Sequence, residues 1–393
     1  MTHPASIPFR PGRLPRRRLL LGLAGLCGTA LAAATAPSRT WRVAAGSGPS
    51  LAEVARLARD GDTIELAAGD HHGQTAVLTQ RGLWLHGAGG GATLHADGAH
   101  AEGKAIVVVR GEVTIAGVAF RGCRVPHGNG AGVRFEAGRL RVERCRFVDN
   151  EMGLITANDP AQQLEVIDCL FADAPRHPGP LHHLLYAGRI GMLTVQGSHF
   201  ANGWRGHLLK SRALRNLVRG NAFVDGPTGE ASYEVEFPEG GEIVLTGNVV
   251  VQGPTSGNAA IVSVGAEGGA DRATRLTMVH NTLVNTGAAP ATFLHWWAER
   301  LQPGARAWLA NNVVAGTGHW TLPPGSDGGG NARLALQQLR DADAGDAGPA
   351  ADGAGWPAAV PLPGDVAPPW WFSAPLGARP AMGPARWPGA VQR

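Results

Sequence analysis

The 393-residue chain is short of charge: 17% of it is Asp, Glu, Lys or Arg, which excludes a disordered polyelectrolyte. It is also short of cysteine, with 4 in all. Cys27 falls in an N-terminal leader, so Cys123, Cys145 and Cys169 remain, an odd number that argues against a complete disulfide framework. No C-x-x-C or Cys/His spacing points to zinc, and no residue is singled out as a metal ligand. The longest apolar run, 19–34, falls short of a ~20-residue membrane span. No basic stripe carries interleaved aromatics, so nucleic acid is not an expected partner. GAGGG at 87–91 is followed by neither G-K-[ST] nor a helix start, and reads as a turn.

The chain is rich in glycine, 57 residues, with 28 prolines, which suits many tight turns. It also repeats one phrase, apolar-x-apolar-x-x-small-x-apolar. The phrase reads VTIAGVAF at 113–120, LRVERCRF at 140–147, LEVIDCLF at 164–171 and LTVQGSHF at 193–200. It continues as NLVRGNAF at 216–223, IVLTGNVV at 243–250, LTMVHNTL at 276–283 and AWLANNVV at 307–314. The sixth position is Val118, Cys145, Cys169, Ser198, Asn221, Asn248, Asn281 and Asn312, spaced 23 to 33 residues apart. A period of this kind means a solenoid. Each phrase reads as a strand, a corner at the small or Asn residue, and a short second strand. Asn suits the corner because it tolerates left-handed φ, and repeated Asn can hydrogen-bond along the stack. Between phrases lies a third strand-like run: GVRFEA, GLITAN, HLLYAG, GHLLKS, SYEVEF, AIVSVG and TFLHWW. Three short strands per turn make a parallel β-helix, and eight turns at ~4.8 Å make a rod of about 40 Å. Cys145 and Cys169 share one repeat position; they read as stacked buried thiols, with a disulfide as the alternative.

From 49 to 318 the chain resembles the right-handed parallel β-helix superfamily that includes the pectate lyases. The fold expected is therefore all-β, a single-stranded right-handed parallel β-helix with an N-terminal capping helix and an irregular C-terminal cap. Ser50 and Glu53 form a capping-box pattern on a helix over 51–59, which would close the open end of the core. Residues 321–393 hold 12 of the 28 prolines, together with Trp356, Trp370, Trp371 and Trp387. They read as a cap that wraps back on the rod, with a short helix over 334–340. At the other end, Arg16-Arg17-Arg18 precede the apolar run, and Ala34-Thr35-Ala36 supplies a cleavage site. Arg16-Arg17 resembles a twin-arginine signal, with an ordinary secretory signal as the alternative. The expected organisation is a cleavable leader at 1–36, the β-helix at 37–320 and the cap at 321–393. The mature product would be a periplasmic or secreted monomer with no membrane span. Its mildly basic balance, net +4 with a pI near 9.2, suits acidic ligands such as uronate polymers, or a basic surface with no specific partner.

One stretch, 182–267, carries polar groups that packing does not need. Alternation puts Leu208, Lys210 and Arg212 on one side of a strand and, unless a bulge intervenes, His207 and Leu209 on the other. Tyr186 one turn earlier and Glu236 one turn later would stack on Lys210 about 5 Å apart. The catalytic candidates are Lys210, Arg212, Tyr186 and His207. The substrate-binding candidates are Glu236, Glu234, His183, Glu267 and Tyr233. A passive ladder of opposite charges, worth ~0.2–1 kcal/mol per pair, accounts for the same residues. The concentration of charge on these turns favours a ligand site.

Lys210-Ser211, then Asn216, then Asn221-Ala222-Phe223, resembles a phrase of the β-helix lyases that cleave alginate or dermatan-type chains. The resemblance implies that Lys210 is the base removing the proton α to a uronate carboxyl, with an arginine one turn on and a calcium ion assisting. Only Lys210 carries over. Glu236 stands where the arginine should, and HLLYAG stands where acidic calcium ligands should. As a base, Lys210 must lose about 3 pKa units, or ~4 kcal/mol. Arg212 at ~7 Å would supply about 2.4 kcal/mol of repulsion and Glu236 at ~5 Å about 3.3 of attraction, which nearly cancel. Two arrangements rescue the chemistry. Arg212 could hold Glu236 and free Lys210, or Lys210 and Arg212 could clamp the carboxyl while Tyr186 or His207 moves the proton. The activity expected is β-elimination on an acidic polysaccharide, with no cofactor required by the residues and calcium as an option. The alternatives are a glycoside hydrolase using two of Glu234, Glu236 and Glu267, a uronate epimerase, and a non-catalytic carbohydrate-binding or envelope protein.

Overall fold

A computed structural model describes residues 38–393 apart from 178–180, 270, 351–352, 354, 365, 367, 369, 374–375, 382 and 393. The leader expected at 1–36 lies outside these residues. Residues 38–393 form one compact unit. No helix among the described residues is long and apolar enough to cross a membrane.

The fold is a parallel β-helix with three faces. The front face holds short strands such as Leu185–Ala187, Leu209–Ser211, Val235–Phe237 and Ala260–Val264. The flank holds the first half of each repeat phrase, for example Met192–Gln196, Arg215–Arg219 and Glu242–Thr246. The back is an 11-stranded sheet built from the second halves, such as His199–Ala201, Ala222–Val224 and Val249–Gln252. Front and flank join into one 19-stranded sheet because Ala105–Ala116 and Ala131–Glu143 run through both without a break. Residues one turn apart are in register, as in Leu193↔Asn216↔Ile243, so each inward position repeats its neighbour. Phe120, Phe147, Phe171, Phe200 and Phe223 stack inside the back sheet with ring centroids 4.5–5.1 Å apart.

The corner differs from expectation by one residue. The left-handed conformation belongs to the fifth position of the phrase, not the sixth. Gly117, Arg144, Asp168, Gly197, Gly220, Gly247, His280 and Asn311 have φ between 51° and 66°. The sixth position is buried and, from Cys145 onward, makes the ladder expected along the rod. Cys145 N–H lies 3.4 Å from Cys169 Sγ, and both are free thiols, so no disulfide forms. Cys169 N–H donates to Ser198 Oγ at 3.1 Å and Ser198 N–H to Asn221 Oδ1 at 2.9 Å. Asn221, Asn248, Asn281 and Asn312 each pass an amide N–H to the next Asn Oδ1 at 2.9–3.0 Å. The last acceptor is Asn331, beyond the eight phrases.

The ends also depart from the sequence reading. A strand Thr40–Val43 precedes the capping helix and pairs with Thr63–Leu66. The helix runs Leu51–Leu57 with the Ser50–Glu53 capping box formed, and it buries Leu51 and Val54 over the core. At the other end the coil passes 320: Ala332–Leu334 pairs with Val313–Ala315 as another back strand. In place of a helix over 334–340 the chain makes a single 3-10 turn, Leu336–Gln338, and a strand, Leu339–Asp341. The tail then packs on the outside of the back sheet. Leu339, Ala347, Phe372 and Ala390 cover Ala222, Val224, Val249, Val251, Val284 and Ala315. Trp371 meets His280 edge-on at 5.3 Å, and Ala390 N–H donates to Thr282 Oγ1 at 2.9 Å.

Candidate functional site

The register aligns Tyr186 with Lys210, Lys210 with Glu236, Glu236 with Ser263, and Ser263 with His295. This column runs along the outside of the front face. Lys210 Nζ lies 3.1 Å from Glu236 Oε2 and 2.7 Å from Glu267 Oε1. Arg212 Nε donates to Glu267 Oε2 at 3.0 Å, and its guanidinium also contacts the Tyr186 hydroxyl. Glu267 therefore bridges the two cations. Its side chain keeps 41% of its exposure, whereas that of Lys210 keeps 10% and that of Glu236 3%.

His207 does not take the opposite side from Lys210, as alternation required. Leu208 and Leu209 are both fully buried, because the chain turns into the strand there and spends two consecutive residues on the core. Leu184 and Leu185 do the same one turn earlier. His183 and His207 consequently emerge beside Tyr186 and Lys210. The His183 and His207 rings lie 4.8 Å apart, and His207 lies 5.0 Å from Tyr233. His207 Nε2 faces Glu236 Oε2 at 3.0 Å.

Backbone contacts fix the tautomers. Tyr233 N–H donates to His207 Nδ1 at 3.1 Å, so in the neutral ring the proton sits on Nε2, the nitrogen nearer Glu236. His207 N–H likewise donates to His183 Nδ1 at 2.9 Å. Burial pushes the His207 pKa down, and Glu236 offsets this only in part. Burial, aided by His207 and Lys210, pushes His183 well down. For Glu236, burial works upward but His207 and Lys210 outweigh it, and the net shift is down. Glu267 behaves the same way under Lys210 and Arg212. At neutral pH the two imidazoles are thus neutral and Glu236 and Glu267 are carboxylates. His207 thus has Nδ1 taken by the Tyr233 N–H and Nε2 facing Glu236.

Glu234 stands apart from the site. It points inward, is fully buried and is met by Gln252 at 3.2 Å and Ser256 at 3.5 Å. Burial, with Asp225 close by, raises its pKa well above the carboxylate range. A ligand on the front face does not reach it.

Three contributors escaped the sequence reading. Glu239 is held by Arg189 at 2.9 Å, Arg212 at 3.3 Å and Arg272 at 2.8 Å, and Arg272 also donates to the Arg212 carbonyl at 2.9 Å. These groups sit in turns after the front strands, where period-2 alternation assigns no side. They pin Arg212. One compositional signal was available. Lys104 and Lys210 are the only lysines against 33 arginines, and Tyr186 and Tyr233 are the only tyrosines. Beyond Glu236 the column ends in aromatics: Trp297 Nε1 donates to Ser263 Oγ at 3.2 Å and stacks on His295 at 3.8 Å.

The Lys210 phrase has mostly structural members. Ser211 Oγ donates to Asn216 Oδ1 at 2.5 Å, and Asn216 Nδ2 donates to the Ala213 carbonyl at 3.0 Å, which together form the front-to-flank corner. Asn221 belongs to the ladder and Phe223 to the ring stack. Calcium, which wants six to eight oxygen ligands, does not fit here. Glu236 and Glu267 share the Lys210 ammonium, and Glu239 is taken by three guanidinium groups.

No family model matches the chain, and no curated protein sequence matches it. Among solved structures it is similar to that of pectate lyase Pel9A, with 14% identity and a TM-score of 0.46 over 91% of this chain and 97% of that one. The β-helix itself is established by the strand register described above.

Proposed function

We propose that the front face binds a uronate-bearing polysaccharide and cleaves it by β-elimination. The observation that carries this reading is the bridge of Lys210 and Arg212 by the half-exposed Glu267 carboxylate. A two-pronged cation clamp already closed on a carboxylate is suited to a uronate carboxylate, which would displace Glu267. As the α-proton leaves, charge grows on that carboxylate, and Lys210 and Arg212 would neutralise it in a preorganised setting. The electron pair left on carbon forms the double bond as the glycosidic oxygen departs. Tyr186, whose oxygen contacts the Arg212 guanidinium, would act as the phenolate, taking the proton from carbon and returning it to that oxygen so that the phenolate is regenerated.

Hydrolysis is less well supported. A glycosidase needs one carboxyl with a raised pKa as the acid. Glu236 and Glu267 are both shifted down, and Glu234, which is shifted up, is enclosed. A polymer substrate agrees with the export leader expected at 1–36.

The test follows ultraviolet absorbance of unsaturated uronate when protein is mixed with a panel of uronate polymers. A rise that vanishes in Lys210→Ala, with the circular dichroism of the folded rod retained, is the expected result. Loss of polymer with saturated new ends would favour hydrolysis, an exchanged α-proton without cleavage an epimerase, and binding without product a non-catalytic role.

A further inference from the structure

A second cluster lies far along the chain from the front-face site, on the outside of the first two turns of the back sheet. The strands Gly69–His72 and Ala92–His95 pair with His72 opposite His95, and the two rings stack at 4.8 Å with 16° between planes. Asp97 follows the second strand in a left-handed turn (φ 47°, with Gly98 at 81°), which folds its carboxylate back over the strand. Its Oδ2 lies 2.6 Å from His72 Nδ1. Asp70 Oδ1 lies 3.0 Å from His95 Nε2. Donor atoms of His72, His95 and Asp97 lie within 4.8 Å of one another.

The surroundings set this cluster apart. In a chain with 33 arginines, most ion-paired carboxylates have a guanidinium partner. Among the described residues, Asp70 and Asp97 pair only with imidazoles. Among the described residues no lysine or arginine is ion-paired to the donor set, with Arg121 standing opposite His95 one turn on. A small cleft lined by Gly46, Ser47, Asp70, His72 and Gln74 opens beside it, with room for water or an exogenous ligand.

We infer that His72, His95 and Asp97 bind a late first-row divalent metal such as Zn²⁺ or Co²⁺. Asp70 is the outer carboxylate that orients His95. Two imidazoles and a carboxylate are donors for such ions and poor donors for Ca²⁺. Ligand bonds of ~2.0–2.1 Å at a tetrahedral ion would part His72 Nδ1 and Asp97 Oδ2 from their contact to about 3.3 Å. Both side chains are exposed enough to make that move, at 65% and 51%. Binding needs both imidazoles neutral, the His72 N–H moving to the ring nitrogen that the ion leaves free, so affinity falls as the rings protonate. The ion would clip the first two turns together next to the capped end of the rod.

The experiment titrates tag-free full chain with Co²⁺ by visible absorption and with Zn²⁺ by calorimetry. One equivalent should bind. His72→Ala or His95→Ala should weaken binding by more than about 100-fold, and Asp70→Asn by about 10–100-fold, the cost of losing an outer partner. Excess Ca²⁺ should not compete. His127→Ala, an exposed histidine outside the cluster, should leave binding unchanged. Binding that survives the His72→Ala/His95→Ala double variant, or no cobalt spectrum in the parent protein, overturns the assignment. All four altered residues are partly exposed, and a thermal melt of each variant checks that the rod is intact.

Discussion

The front and back of the rod are built on the same turns, yet their outward residues have opposite character. On the back, Ala222, Val224, Val249, Val251 and Val284 point outward and are apolar, and the tail covers them. On the front, Tyr186, Lys210, Glu236 and Ser263 occupy the outward places of the same turns. The core does not distinguish the two, because inward residues alone determine whether a turn stacks. Outward residues therefore record what each face meets. An apolar outer face here meets more of its own chain. A face that buries Lys210 and Glu236 at its surface pays desolvation that apolar residues of similar volume would avoid. That cost is reason to read the front as selected for a ligand.

The sharpest break of the comparison pairs one residue from each face. Tyr186→Phe should lower turnover on the responsive uronate polymer by roughly 10²–10⁴-fold, with the melting temperature nearly unchanged. Trp371→Ala should do the reverse, costing about 3–5 kcal/mol of stability by denaturant titration and leaving turnover at the parental level. Turnover that follows Trp371 would mean the tail reaches the front.

Acid should loosen the back at His280, as it should the front at His183 and His207, whose pKa values burial also lowers. Burial lowers the His280 pKa from 6.5 to about 4. The unfolded chain then binds that proton more tightly, so stability falls as pH drops from about 6.5 towards 4, by about 3 kcal/mol in total. His280→Asn, which tolerates the left-handed corner, should flatten this limb of the melting temperature against pH. Asp225, shifted up to about 6 by burial, works in the opposite sense, losing stability as pH rises through 6. It is present in both proteins, so the difference between them isolates His280. The smallest effect expected is at Glu267. Glu267→Gln removes the internal competitor for the cation clamp and should tighten apparent substrate affinity about 2–5-fold. A weaker affinity would show that Glu267 itself holds the substrate.

The sequence was legible wherever the core dictated it. Phe147, Phe171 and Phe200 recur because each must sit on the last, and the column Tyr186–Lys210–Glu236 followed from the same register. It was misread where a residue type has two uses. Asn can take left-handed φ or serve in a ladder, and here Asn248 and Asn281 serve in the ladder while Gly247 and His280 take the turn. Alternation failed at His207 because Leu208 and Leu209 straddle a corner. Glu239, Arg189 and Arg272 were out of reach, since turn residues carry no period and their meeting depends on three separate loops.

The ladder gives the rod a grain. Towards the C-terminus each turn is tied to the next by an amide that both donates and accepts, from Asn221 through to Asn331. Towards the N-terminus the same seam runs through Cys145 and Cys169, whose thiols are feeble donors and acceptors. A pull applied along the axis would meet a seam that is strong at one end and weak at the other. The protein should therefore peel from its first turns inward, and the front-face residues, which lie on the better-sewn half, would be among the last to lose their places.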